Sequence, residues 1–175
     1  MTAARALDAH GLLDVAFELA DVAISDRFDS ARLRRSVSTS YYALFHELTF
    51  AAAALLCGED AAGETQRNQV VRWISHTDLF ALAHAVLDPK RPAGNILAPS
   101  VGLGRIAEIF ISLQEWRQWA DYDHGFVVMR VDASRLAMEA SEAIATAREL
   151  WAEGDEAYLR FLRLMVGAVR IAKNR

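Results

Sequence analysis

The chain has one cysteine, Cys57, and three prolines, Pro89, Pro92 and Pro99, in 175 residues. A single thiol excludes an internal disulfide framework and any zinc site built on cysteines. The prolines lie within eleven residues of one another, so the rest of the chain is free to be helical. Strand signals are scarce: only Phe126-Val127-Val128-Met129 reads as β-like, and it is too short to build a sheet. No long apolar run is free of polar groups. The most apolar stretch, Tyr41 to Gly58, contains His46, Glu47 and Thr49, which a membrane span of ~20 residues would not readily carry. The first thirty residues carry acids throughout, unlike a signal peptide. A cytoplasmic protein away from the membrane is expected.

What is present is apolar bulk with balanced charge. Hydrophobic residues make up 53% and charged residues 24%, a composition that suits one folded domain over 1–175 rather than disorder. The net charge of −4 argues against a protein coated for duplex DNA, though not against a local basic groove. The excess of base is local: Ala157 to Arg175 carries five cations and no acid, leaving −9 for the remainder. Tyr158, Phe161, Leu162, Met165 and Val169 give that segment one apolar face. It reads as a last helix covering the core or as a phosphate- or partner-binding helix.

Periodicity predicts an all-α fold, an up-and-down bundle of five or six helices. The first helix is expected over Ala6–Ile24. A polar break follows at Asp26–Ser30, with Asp29 or Ser30 as cap. The strongest helix runs from Ala31 to Cys57, about 40 Å at 1.5 Å per residue, and stops at Gly58. Its stripe is Leu33, Val37, Tyr41, Leu44, Phe45, Leu48, Ala52 and Leu55. Thr65 is read as the cap of a stretch to Leu87, with an interruption near Ser75-His76-Thr77-Asp78 where Thr77 starts a new turn. After the proline segment, Leu103–Asp121 is helical with Ile106, Ile109, Phe110, Leu113 and Trp116 inward. Asp132 is expected to cap a helix to Ala152, and Gly154-Asp155 to begin a last one reaching Ala172.

Several familiar strings fail. His46-Glu47 begins the zincin pattern H-E-x-x-H, but Phe50 takes the place of the second imidazole. Gly102-Leu103-Gly104-Arg105-Ile106-Ala107 fits G-x-G-x-x-G/A, which has meaning only between a strand and a helix, and no strand repeat exists here. Neither a nucleophile elbow nor a P-loop string occurs. Asp121, Asp123 and His124 offer metal-ligand types, but three polar residues so close together read as a loop. No cofactor and no metal site is expected.

Two segments remain. Ser36-Val37-Ser38-Thr39-Ser40-Tyr41-Tyr42-Ala43-Leu44-Phe45-His46 lies on the long second helix, and Arg117-Gln118-Trp119-Ala120-Asp121-Tyr122 ends a later one. Together they resemble the HEPN superfamily (higher eukaryotes and prokaryotes nucleotide-binding). Its members often carry A-[IV]-S-x-A-Y-Y-A-x-F-H early and R-x-x-A-D-Y late. Ser36 and Ser40 stand where alanine is usual. The resemblance covers about residues 10–150 and implies a helical bundle that commonly forms a homodimer. Many HEPN proteins are metal-independent endoribonucleases of toxin–antitoxin, CRISPR and phage-defence systems. Others are partners of nucleotidyltransferases or non-catalytic modules.

The resemblance implies a catalytic pair of Arg117 and His124, an arginine and a histidine with six residues between them. The commoner form has a polar residue after the arginine, which Gln118 satisfies, and histidine at the fifth position, where this chain has Tyr122. Arginine holds phosphate with two prongs and stays charged. Histidine is the side chain best suited to acid or base work near neutrality. Gln118, Asp121 and Tyr122 are supporting or phosphate-binding candidates. Arg35, Tyr42 and His46 fall near one edge of the second helix and are candidates to face the same cleft. An i, i+4 ion pair of Arg117 with Asp121 is the structural alternative. Two functions stay open: an endoribonuclease, or a non-catalytic dimer binding a protein, a nucleotide or RNA. An antitoxin or nucleotidyltransferase is the partner the resemblance implies.

Overall fold

Helix ends in this chain are written by side chains that accept or close off the free backbone groups. The structure, a computed structural model, describes residues 8–21, 26–88, 90–91 and 94–167, with side chains for all but 26–29. The described residues form eight α-helices and a short 3-10 turn, with no strand. The helices are α1 Ala9–Asp21, α2 Asp26–Cys57, α3 Glu64–Trp73, α4 His76–Leu87, α5 Gly94–Leu97, α6 Val101–Tyr122, α7 Arg130–Glu153 and α8 Glu156–Val166. The all-helical class is as expected. The count exceeds five or six because 65–87 splits in two and the proline segment holds a one-turn helix.

Most differences from the expected boundaries have a local cause. Asp26–Ser30 is not a break: it is the first turn of α2, and it contains neither proline nor glycine to stop a helix. Thr65 lies inside α3 and caps nothing. The 3-10 turn Ala61–Gly63 runs straight into α3, capped by Asp60, whose carboxylate accepts from the Gly63 amide at 3.0 Å. Ser75, not Thr77, starts α4: its hydroxyl accepts from the Asp78 amide at 3.3 Å and donates to the Asp78 carboxylate at 2.7 Å. Helix α6 begins at Val101, two residues early, because Ser100 supplies its carbonyl and hydroxyl to the Gly104 and Leu103 amides. Asp132 sits within the first turn of α7 rather than capping it, a favourable place for a negative charge. Helix α8 ends at Val166, where Gly167 leaves the helical region; the rest of the basic segment, 168–175, lies outside the described residues.

Two glycines stop helices by taking positive φ: Gly58 at +76° after α2 and Gly154 at +67° after α7. Gly102 has a packing role inside α6. A Cβ there would stand 3.2–3.3 Å from side-chain atoms of Leu150 and Thr146 of α7, so its absence lets the two helices approach. That, with the helical geometry of 101–107, removes the dinucleotide-loop reading.

The chain divides into two compact units. The first comprises residues up to His46 plus Ile109–Ile144, and the second Glu47–Glu108 plus residues from Ala145 on. The long helices α2, α6 and α7 contribute residues to both. In the first unit Val37, Tyr41 and Leu44 are buried, as are Phe110, Leu113 and Leu136. The Tyr41 ring packs 5.5 Å from that of Phe110, and Ser36 donates to the Ala16 carbonyl at 2.7 Å, tying α2 to α1. In the second unit α4, α5 and α8 pack together, with Leu79, Leu97, Phe161 and Leu162 buried. No single helix among the described residues is long and apolar enough to cross a membrane.

Candidate functional site

A 32-residue α-helix presents residues four apart as a slowly drifting row. On α2, Arg34, Ser38, Tyr42 and His46 form such a row, and its first three members grip the C-terminal end of α6. The Arg34 guanidinium donates to four main-chain carbonyls: Ala120 at 3.0 Å, Asp123 at 2.8 Å, His124 at 3.3 Å, and Phe126. These include the open carbonyl end of α6, the negative pole of its dipole, so a fixed cation there is favourable. Ser38 donates to Asp121 Oδ1 at 2.5 Å. Tyr42 accepts from Arg117 Nη2 at 3.0 Å.

Arg117 is the centre of this arrangement. Its side chain is 14% exposed, and Nε lies 2.9 Å from Asp121 Oδ2, the i, i+4 ion pair expected from the spacing. The Nε–H does not point at the carboxylate, so this contact is coulombic rather than a hydrogen bond. Three phenol rings surround the guanidinium carbon: Tyr42 at 5.5 Å, Tyr122 at 5.6 Å and Tyr41 at 5.7 Å. Burial works against the charged form, but Tyr42, Asp121 and Tyr122 outweigh it, so the pKa moves up and Arg117 is held firmly as a cation. Burial pushes the Tyr41 phenol up, well out of reach of neutral-pH chemistry.

Beyond Tyr122 the chain leaves the helix in a tight turn. Asp123 Oδ1 accepts from the Gly125 amide at 2.9 Å, and Phe126 bonds back to the Asp123 carbonyl at 3.2 Å. Phe126 then packs on Trp116 and Trp119, with ring centres at 5.3 and 5.5 Å. His124 stands exposed at the tip of this turn. Arg117, Gln118, Trp119, Tyr122, Asp123, His124 and Gly125 line one open depression of about 740 Å³.

The expected site residues are thus partly brought together. Arg117, His124, Gln118 and Tyr122 line the depression; Asp121 pairs with Arg117 behind it. Tyr42 reaches Arg117 directly. His46 is half-buried on the α2 row, its ring centre 6.4 Å from that of Tyr42, and burial lowers its pKa below the usual imidazole range. It does not line the depression. Arg35 does not join the site. It is exposed, and among the described residues its side chain makes no hydrogen bond or ion pair, because the residue in register with Ser38 and Tyr42 is Arg34, one position earlier. Arg34 and Ser38 are the members the sequence reading missed, although the spacing 34, 38, 42 was a signal for them.

The donor set for a metal does not converge here. Both Asp121 oxygens are engaged by Ser38 and Arg117, and Asp123 turns one oxygen onto its own loop. Among the described residues no group of three or more His, Cys, Asp or Glu side chains stands together in a metal-ligating arrangement. No protein-family model, no curated protein and no solved structure matches this chain.

Proposed function

We propose that this protein is a HEPN-like, metal-independent endoribonuclease that works as a homodimer, with the depression at the end of α6 as its RNA-cleaving site. One observation carries the reading. Arg117, inside a helix, and His124, beyond its end, line the same open depression, and the turn bearing His124 is tied down by Arg34. In the reaction the 2′-oxygen of a ribose attacks the adjacent phosphorus and the 5′-oxygen of the next nucleotide leaves. The products are a 2′,3′-cyclic phosphate and a 5′-hydroxyl. Arg117 supplies a permanent cation for the charge that develops on the non-bridging oxygens. His124 takes or returns the proton, and the second copy's equivalent group fills the opposite role. The toxin or defence setting and an antitoxin or nucleotidyltransferase partner follow from the HEPN resemblance alone.

A second reading has its own support. The Arg117 charge is already compensated by Asp121, and most of its side chain is covered. That is how an arginine sits when it holds a fold together, and it suits a non-catalytic HEPN-like dimer that binds protein, nucleotide or RNA.

Incubation of total RNA with the wild type and with His124→Ala, each with and without EDTA, separates the two. Cleavage that survives EDTA and falls on the order of 10²-fold or more in His124→Ala supports the enzyme. No cleavage by wild type at high enzyme concentration supports the binding module. Sedimentation at micromolar concentration tests the dimer: a clean monomer of 19.4 kDa removes the shared cleft.

A further inference from the structure

We infer that Arg34 is a positioning residue for His124: its guanidinium, donating to the carbonyls of Ala120, Asp123, His124 and Phe126, makes α2 rather than α6 set where the His124 imidazole stands. The role rests on the reading of the depression as a cleavage site, but the placement itself is a property of the chain.

The argument begins with the turn. His124 is exposed and follows the last residue of α6 by two positions, so the helix ladder does not fix it. Local contacts at the turn are few: the Asp123 amide donates to the Trp119 carbonyl, the Gly125 amide to Asp123 Oδ1 and the Phe126 amide to the Asp123 carbonyl, while the Phe126 ring packs on Trp116 and Trp119. None of these engages the carbonyl of His124, at the exposed tip, where turns open most easily. Arg34 changes this. Nη1 joins the last turn of α6, at Ala120, to Asp123, and Nη2 joins His124 to Phe126. A planar guanidinium has its donors in a fixed fork, so four carbonyls gathered on one group have their directions fixed relative to one another. The carbonyl of His124 itself is among them, one rotatable bond from the Cα that carries the imidazole.

The same helix face governs the partner group. Tyr42, eight residues along α2, accepts from Arg117, and Ser38 between them holds Asp121. One row of α2 therefore holds both halves of the candidate pair, Arg117 through Tyr42 and His124 through Arg34. Lysine at 34 would keep the charge but not the fork, since a single ammonium cannot span carbonyls spread from 120 to 126 in the same geometry.

The experiment uses the full chain with Arg34→Ala and Arg34→Lys, read by amide hydrogen exchange and by RNA cleavage. Exchange of the Gly125 and Phe126 amides should quicken on the order of tenfold or more in Arg34→Ala and less in Arg34→Lys, while buried α2 and α6 amides stay protected. Should Arg34→Ala fail to fold, Arg34→Lys carries the test, with the same amides expected to respond. Cleavage should fall ~10- to 100-fold in kcat with KM little changed, since Arg34 does not line the depression. In a His124→Ala background, Arg34→Ala should cost nothing further. Unchanged exchange at 125 and 126, loosening spread over the whole first unit, or rate losses that multiply in the double variant would each overturn the inference. Selective loosening of the turn in a protein that never cuts RNA would uphold the placement of His124 and sink the cleavage reading instead.

Discussion

Two arginine–carboxylate pairs, one in each compact unit, show how differently one chemistry is used. In the second unit Arg148 meets Glu47 with both prongs, Nε to Oε1 at 2.8 Å and Nη2 to Oε2 at 2.9 Å, and the arginine is half exposed. Both prongs of the fork meet the one carboxylate. In the first unit Arg117 meets Asp121 through a single edge, is largely covered, and turns toward three tyrosine rings at the wall of an open depression. The first geometry is a surface clasp. The second fixes a cation where something else could reach it. The surroundings differ in the same sense. The second unit buries large apolar side chains where α4, α5 and α8 meet, whereas the first spends Arg34, Ser38 and Tyr42 on the end of one helix.

The largest effect should come from the apolar side of this contrast. Phe161 is 1% exposed in the second unit, and Phe161→Ala should cost ~3–5 kcal/mol of stability in urea unfolding. A loss below 1 kcal/mol would mean that α8 is not part of the folded core. Next is Asp121→Ala, which strips Arg117 of its carboxylate and Ser38 of its acceptor. A partly buried charge left so should cost ~1–3 kcal/mol, and Asp121→Asn, which keeps a hydrogen-bonding oxygen, less. Equal losses in the two variants would show that the Ser38 hydrogen bond contributes little beside the lost charge pairing.

A smaller effect is expected from His46. Burial lowers its folded pKa, so the unfolded chain takes up a proton there first. Stability contributed by the neutral form is present above the unfolded value of ~6.5 and is lost as pH falls from there toward the folded value. Replacing it as His46→Gln should flatten the stability–pH curve in that window, and an unchanged slope would place the proton uptake elsewhere. Smallest is Glu47→Gln. Because Arg148 is 51% exposed, breaking that pair should cost under about 1 kcal/mol, and the cost should shrink in high salt. A loss as large as that of Asp121→Ala would erase the distinction between clasp and site.

Much of the fold was legible because helix periodicity is a local property. The apolar stripe of α2 was read residue by residue, and Val37, Tyr41, Leu44, Phe45, Leu48 and Ala52 are all buried. Gly58 as the stop of α2 and Gly154-Asp155 as the start of α8 were equally plain, since each acts within its own turn. Boundaries set by a hydroxyl reaching three residues on, at Ser75 and Ser100, were misplaced by one or two residues. At the candidate site Arg117 and Asp121 were legible as an i, i+4 pair on one helix. Arg35 lies apart from the Arg34 contacts: adjacent arginines look alike in sequence, and they differ only in which one falls in register with Ser38 and Tyr42.

The sequence by itself determined that this chain is helical, where its long helices lie, and which stripes of α2 and α6 face the core, because hydrophobic burial and capping act over a few residues. Only the tertiary structure decided that Arg34, some ninety positions before His124, holds that histidine's turn, and that Tyr42 and Ser38 hold Arg117 and Asp121. Those bonds join side chains to groups far along the chain. The carbonyls that Arg34 binds belong to no residue type, so no letter in the sequence marks them; they exist as a site only once α6 ends where it does and α2 passes beside it.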